Sequence, residues 1–213
     1  MSRVAGVDIS GSAAHVVILD GGQLAKAGVW PTDDLSHLAE ELARCGVVAI
    51  DSPDRWSPGA IPEHEALSPK FLAARCAEFE LARKYRYWVP WATPLPPTSD
   101  SERAKYAWMA RGMELFQLLE GRTVTIEVYP HAIFRRLAKQ APLPPKSRQA
   151  GGRMRVALLQ EAGITAPHLE MWSHDGLDAA AAALVALARG RDEAERISCN
   201  HAGSAIWLPA AFG

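Results

Sequence analysis

Apolar residues run through Val4-Ala-Gly-Val7 and stop on one acid, Asp8, before Ser10-Gly-Ser12 lets the backbone turn. A second run, Ala14-His-Val-Val-Ile-Leu-Asp20, follows at once, and the pattern predicts a hairpin whose lip carries the acid. Gln23–Trp30 supplies a third strand, closed by Pro31. Leu35, Leu38, Ala39, Leu42 and Ala43 recur at helical spacing, with Asp33 and Asp34 at the N-terminal side and Gly46 as the stop. Val47-Val-Ala-Ile50 is continuously apolar, as in a strand buried on both faces, and it too finishes on an acid, Asp51. Strand, helix, strand reads as a crossover, which lays the new strand parallel to an earlier one.

Beyond Asp51 the prolines 53, 58, 62 and 69 predict loop as far as Lys70, a length that suits a binding loop at a sheet's edge. Helical patterns cover 71–85 and 101–120, separated by the proline-rich stretch 88–97. A strand is expected over Val124–Tyr129 with Glu127 inside it, then a short helix over 132–139. The segment 142–152 is composed like a mobile connection, and 153–162 is helical. The last strong element, 173–188, is a helix whose alanines permit close approach to a sheet, and Ser204–Pro209 is a candidate final strand. We expect one domain over 1–213, with an insertion around 52–120.

Composition narrows the function classes. A net charge of -1 gives no global field toward nucleic acid or anionic membrane, so any polyanion site must be local. The one basic concentration lies between Arg135 and Arg155, which carries seven Lys and Arg and no acid. It suits either a phosphate backbone or a solvated surface. Tyr85, Tyr87, Trp88 and Trp91 offer either a stacking platform or core and lid packing. The amino-terminal residues lack a signal-like apolar stretch, and the longest apolar helix is too short to span a bilayer. A cytoplasmic protein without a membrane partner is expected. Cys45, Cys76 and Cys199 show no C-x-x-C spacing and read as reduced, buried small hydrophobes.

Candidate chemistry lies in the acids that end elements. A carboxylate at the end of a buried strand is costly unless it is paired, hydrogen-bonded or holding a metal. Taken alone, Asp8 reads equally well as a turn cap. Asp51 ends a strand predicted to neighbour it. Asp175 and Asp178 stand three residues apart on one face of the last helix, although helix-dipole preference also explains Asp175. This element order fits a ribonuclease H-like fold: an α/β protein with a mixed five-stranded sheet, helices on both faces, and helical and loop insertions.

The motifs G-V-D (6–8), A-I-D-S-P (49–53), E-V-Y-P (127–130) and D-G-L-D-A-A-A-A-A-L (175–184) resemble the domain-of-unknown-function family 429 over nearly the whole chain. That family is described as predicted nucleases. The first, second and last motifs are also similar to RuvC-type resolvases. The resemblance implies Asp8, Asp51, Asp175 and Asp178 as ligands of Mg²⁺ or Mn²⁺, with Asp8, Asp51, Glu127 and Asp178 catalytic. Arg75, Lys146 and Arg153 would contact substrate, and Glu78, His131 and His174 lie near enough in the pattern to take part. The implied activity is two-metal hydrolysis of phosphodiester bonds in DNA or RNA, and a homodimer is compatible with it. Asp51 stands where the resolvases carry Glu, and Glu127 has no clear counterpart there.

Two alternatives come from other classes. An inactive scaffold would have its acids salt-bridged to arginines instead of converging on a cleft. A nucleotide binder of the actin and sugar-kinase kind would use D-I-S-G-S as a phosphate loop, but such proteins pair two copies of the fold and 213 residues hold one.

Overall fold

The computed structural model describes residues 3–59, 74–87, 92–139, 141–199 and 203–210. Seven strands, β1 (Arg3–Ile9), β2 (Ala13–Asp20), β3 (Gln23–Pro31), β4 (Val47–Asp51), β5 (Val124–Val128), β6 (Ala194–Ile197) and β7 (Ile206–Pro209), form one mixed sheet. Their order is β3-β2-β1-β4-β5-β7-β6. The first three strands pair antiparallel, whereas β4 lies parallel to β1, β5 to β4 and β7 to β5. The expected count of five strands is corrected to seven. A hairpin of β6 and β7 closes the sheet's far edge. Glu195 and Arg196 interrupt the apolar pattern of β6, and four residues are too few to show a period.

Strand alternation divides the core. Ala5, Val7, Ile9, Val48 and Ile50 pack against α1 (Leu35–Leu42) and α4 (Ala107–Leu119). Val4, Val47, Ala49, Ile126 and Val128 face the other side, toward α5 (Pro130–Leu137), α6 (Gln149–Glu161) and α7 (His174–Arg189). Asp34 caps α1 by accepting from the Ser36 backbone N–H at 3.0 Å, and Ser173 caps α7 through Gly176 N–H at 3.1 Å.

Three helical expectations shift. The single helix expected over 101–120 is two, α3 (Asp100–Lys105) and α4, broken at Tyr106. None of α3 is buried, whereas α4 buries Met109, Met113, Leu115 and Leu119, so only the second piece is bound to the sheet's direction. Helix α6 begins at Gln149, running through Gly151 and Gly152. Glycine costs a helix about 1 kcal/mol, but a Cβ at 151 would lie 2.0 Å from the Pro145 carbonyl oxygen, so the contact requires glycine. Helix α2 spans Cys76–Tyr85, and the earlier part of that expectation, 71–73, lies outside the described residues, as do 60–70 of the expected loop and Trp88 and Trp91 of the aromatic group.

The cysteine expectation is corrected as well. Cys76, at the start of α2, is disulfide-bonded to Cys199, with Cα atoms 5.5 Å apart and a sequence separation of 123. Cys45 alone is free, and it is buried. No local spacing announces a pair that only the fold brings together. Among the described residues no helix is long and apolar enough to cross a membrane.

Candidate metal centre

Strand parity places the first two acids. Val4, Gly6 and Asp8 share the β1 face that looks toward α7, and β4 runs beside it in parallel register with Asp8 opposite Asp51. Helix α7 lies on that face at backbone contact. A Cβ on Gly6 would sit 2.1 Å from Ala183 N and 2.2 Å from the Ala179 carbonyl oxygen, and Ala179 to Ala183 are fully buried. Glycine on the strand and alanines on the helix therefore set the spacing that brings the first turns of α7 to Asp8.

Carboxylate oxygens of Asp8, Asp175 and Asp178 lie within 4.8 Å of one another, and Asp51 shares a side-chain hydrogen bond with Asp8. Asp8 and Asp178 are 7% and 4% exposed, so the repulsion between them is poorly screened. Burial first, then the charge of Asp178, pushes the Asp8 carboxyl up to about 7. Desolvation, then the charges of Asp8 and Asp178, raise the half-buried Asp51 well above the usual carboxylate range. Burial raises Asp178 too, against the pull of Lys146.

Lys146 stands among these acids, and Arg155 acts on Asp178 from farther off. Lys146 Nζ is 2.7 Å from Asp178 Oδ2 and 3.9 Å from Asp175 Oδ1. Burial lowers its proton affinity, but Asp178, Asp8 and Asp175 outweigh that and keep it charged. The strap that carries it is pinned, because Arg155 donates to the carbonyls of Pro144 at 3.1 Å and Gly151 at 3.0 Å. Asp175 also meets His174 Nδ1 at 2.5 Å and His15 Nε2 at 3.7 Å. One ammonium does not balance four carboxyls. An all-oxygen cluster of this kind suits a hard divalent cation.

Glu127 and Arg75 form a separate assembly. Glu127 pairs in register with Ile50, hence on the face opposite to Asp8 and Asp51. There Arg75 holds it by two contacts, Nη1 to Oε2 at 2.7 Å and Nη2 to Oε1 at 2.5 Å. Arg75 also donates to Glu78 at 2.9 Å, to Asp54 at 3.1 Å and to Thr93 at 3.1 Å. Its guanidinium is 2% exposed and is spent on these partners, leaving no free fork for a substrate anion. Burial pushes Glu127 up to about 7, while Arg75 pulls it down. A guanidinium donating twice to one carboxyl group is matched by a carboxylate, so we assign Glu127 as ionised in the pair.

The remaining sequence candidates scatter. Arg153 is exposed on α6 and does not line the cleft described below, whereas Arg155 does. Of the basic run, Arg136 is tied to Glu195 at 2.6 Å and Arg135 donates to the Ala141 carbonyl at 3.4 Å. Tyr87 is buried and stacked on Tyr85 at 5.7 Å, so this half of the aromatic group is core. His131 keeps solvent exposure, but the protein around its ring, then Arg155, Arg135 and Lys146, lower its proton affinity, which keeps the imidazole neutral near neutrality. Asp54 and Thr93, both in the Arg75 network, carried no sequence signal beyond their loop positions.

A cleft of about 580 Å³ opens beside Asp51 and Asp178 and runs to the Arg75 network, under the strap of Pro144 and Lys146. It lies at the carboxyl ends of the parallel strands, where open α/β sheets bind ligands.

Residues 6–201 match the family model described as protein of unknown function, DUF429. No curated protein matches the sequence. The similar solved structures include two of RuvC. RuvC of Thermus thermophilus in complex with a Holliday junction substrate has 12% identity and a TM-score of 0.45, covering 90% of this chain and 96% of that one. The Thermus thermophilus RuvC structure has 11% identity and a TM-score of 0.47, covering 89% of this chain and 96% of that one.

Proposed function

We propose that this chain, which belongs to the DUF429 family, is a metal-dependent phosphodiesterase acting on nucleic acid. One observation carries the reading: carboxylates from β1 and α7, far apart in sequence, meet within 4.8 Å in a buried setting, with Asp51 hydrogen-bonded to one of them. Folding like charges together is unfavourable unless a cation repays it. Asp8, Asp175 and Asp178 would hold Mg²⁺ or Mn²⁺, with Asp51 as the further ligand. Bound there, such ions supply Lewis-acid stabilisation of a phosphodiester and activation of water.

The chain's own residues do the rest. Asp8 and Asp51 anchor the site on rigid strands, and α7 delivers Asp178 through its contact with Gly6. Lys146 has the reach and charge to meet a phosphate oxygen once it leaves Asp178. Glu127 and Arg75 act in this reading as a brace that shapes the cleft floor, in place of the direct roles expected for them from sequence. The ribonuclease H-like assignment is supported by the order β3-β2-β1-β4-β5, with β2 antiparallel to its neighbours. We place this activity in the cytoplasm, where the Cys76–Cys199 bridge is an exception to the reduced state usual for thiols there.

The scaffold alternative draws on the Lys146–Asp178 pair, which neutralises part of the cluster. An assay separates the two. Protein with Mn²⁺ is offered single-stranded, duplex and branched DNA and RNA, beside the Asp8→Asn variant. Cleavage abolished in the variant is expected. Cleavage that persists in it removes the proposed centre, and no cleavage of any substrate favours the scaffold.

A further inference from the structure

The cleft beside the acids has its own chemistry. Its volume of about 580 Å³ falls in the range of roughly 300–1,000 Å³ typical of small-ligand sites. A cube of that volume is about 8 Å on edge, less than the width of about 12 Å of a single major groove. An intact duplex does not enter it. Trp108 and Met109 of α4, Tyr129 at the end of β5, and Leu143 and Pro144 of the strap give it flat and apolar walls.

The floor decides which part of a nucleotide goes in. Arg75 there faces three carboxylates, Glu78, Glu127 and Asp54, and its donors are already engaged. A phosphate group at this floor would meet net negative charge around a guanidinium that is already engaged, and the other guanidinium lining the cleft, Arg155, donates to the Pro144 and Gly151 carbonyls of the strap. The anion therefore stays at the mouth, beside Lys146 and the aspartates, and the group that enters is uncharged and planar. Tyr129 remains a neutral phenol, because burial, Asp51 and Asp178 all push its ionisation upward.

We propose that this cleft is a pocket for one unstacked nucleobase, belonging to the strand whose backbone lies at Asp8, Asp51 and Asp178. The substrate is then a single-stranded or splayed-out nucleotide, held by stacking on Trp108 and Tyr129. The inference rests on the phosphodiesterase reading and names its substrate class. A pocket with aromatic walls is how enzymes hold a base taken out of the stack, and stacking on aromatic side chains tolerates different bases.

The test uses nucleosides, which carry no charge and so bind without metal. The full chain in chelator is titrated with adenosine, cytidine and ribose, and binding is followed by saturation-transfer NMR. Both nucleosides are expected to saturate and ribose not to. Trp108→Ala should weaken nucleoside binding about tenfold or more. Leu143→Trp, at a half-buried strap position on the margin of the core, should block the cleft while the melting temperature shows that the fold is kept. Ribose binding as well as the nucleosides, nucleosides that do not saturate, or nucleoside binding unchanged in Leu143→Trp would each overturn the pocket. The two readings fail separately. Cleavage of nucleic acid by a protein that binds no nucleoside removes the pocket alone, whereas nucleoside binding without any cleavage removes the phosphodiesterase.

Discussion

Lys146 occupies the place that a metal's charge would take, with its ammonium 2.7 Å from Asp178 and 3.9 Å from Asp175. Removing it deletes a competitor and deepens the negative potential of the cluster. Lys146→Met should therefore bind Mn²⁺ several-fold more tightly by calorimetry, while its metal-free form melts at a lower temperature. Metal affinity that is unchanged or weaker would mean that the lysine supports the ion instead of standing in for it. The protonation of Asp8 leads to a second expectation. Its folded value of about 7 lies above the ordinary 3.8, so the folded protein keeps a proton that the unfolded chain has lost. That contribution to stability is fully present below about pH 4 and disappears as pH rises through about 7. In chelator, melting temperature should fall across this window, and Mn²⁺ should restore it increasingly toward pH 8, because the metal requires the deprotonated carboxylates. A stabilisation by Mn²⁺ that is equal at pH 5 and pH 8 would contradict the assignment.

At the scale of elements, the site depends on one strand and one helix touching. A Cβ placed on Gly6 would lie 2.1 Å from Ala183 N, and backbone atoms of a buried helix have nowhere to go. Gly6→Ala should cost about 3 kcal/mol or more in denaturant unfolding. It should also weaken Mn²⁺ binding, since α7 carries Asp175 and Asp178 away from Asp8. Loss of stability below about 1 kcal/mol would show that helix and strand have more room than this packing allows. The pairing of Asp8 with Asp51 was legible beforehand, because two apolar runs that each end on an acid become, in parallel register, two acids side by side. The orientation of Glu127 was not. Which face a residue takes depends on the register of β5 against β4, and five residues with an exposed start do not show it. Arg155 was hidden behind Arg153 for a related reason, since the true start of α6 at Gln149 runs through two glycines that read as loop.

For the whole molecule, the sheet order separates what sequence can carry from what it cannot. The strands β1, β2 and β4 announce themselves by apolar continuity and β7 by its Ile-Trp-Leu run, whereas the edge strand β6 is four residues long with Glu195 and Arg196 at its centre. The bridge from Cys76 to Cys199 ties the chain after β6 to the start of α2, beside the Arg75 brace, across 123 residues. Closing a loop of this size stabilises a fold by about 5 kcal/mol in the chain-entropy account. Denatured, unreduced protein should accordingly show one reactive thiol, that of Cys45, and reduction should lower the melting temperature by about 10 °C or more. Three reactive thiols before reduction would remove the bridge, and with it this long-range constraint.

The central claim is that Asp8 and Asp178 share a bound cation. Calorimetric titration of the full chain with Mn²⁺ at pH 8, beside Asp8→Asn, tests it most directly. The account predicts saturable binding by the native chain that is weakened at least about tenfold in the variant, with the variant's metal-free fold intact, as expected when a hard cation loses one anionic ligand. Equal binding by both proteins, or none by the native chain at millimolar Mn²⁺, would contradict it.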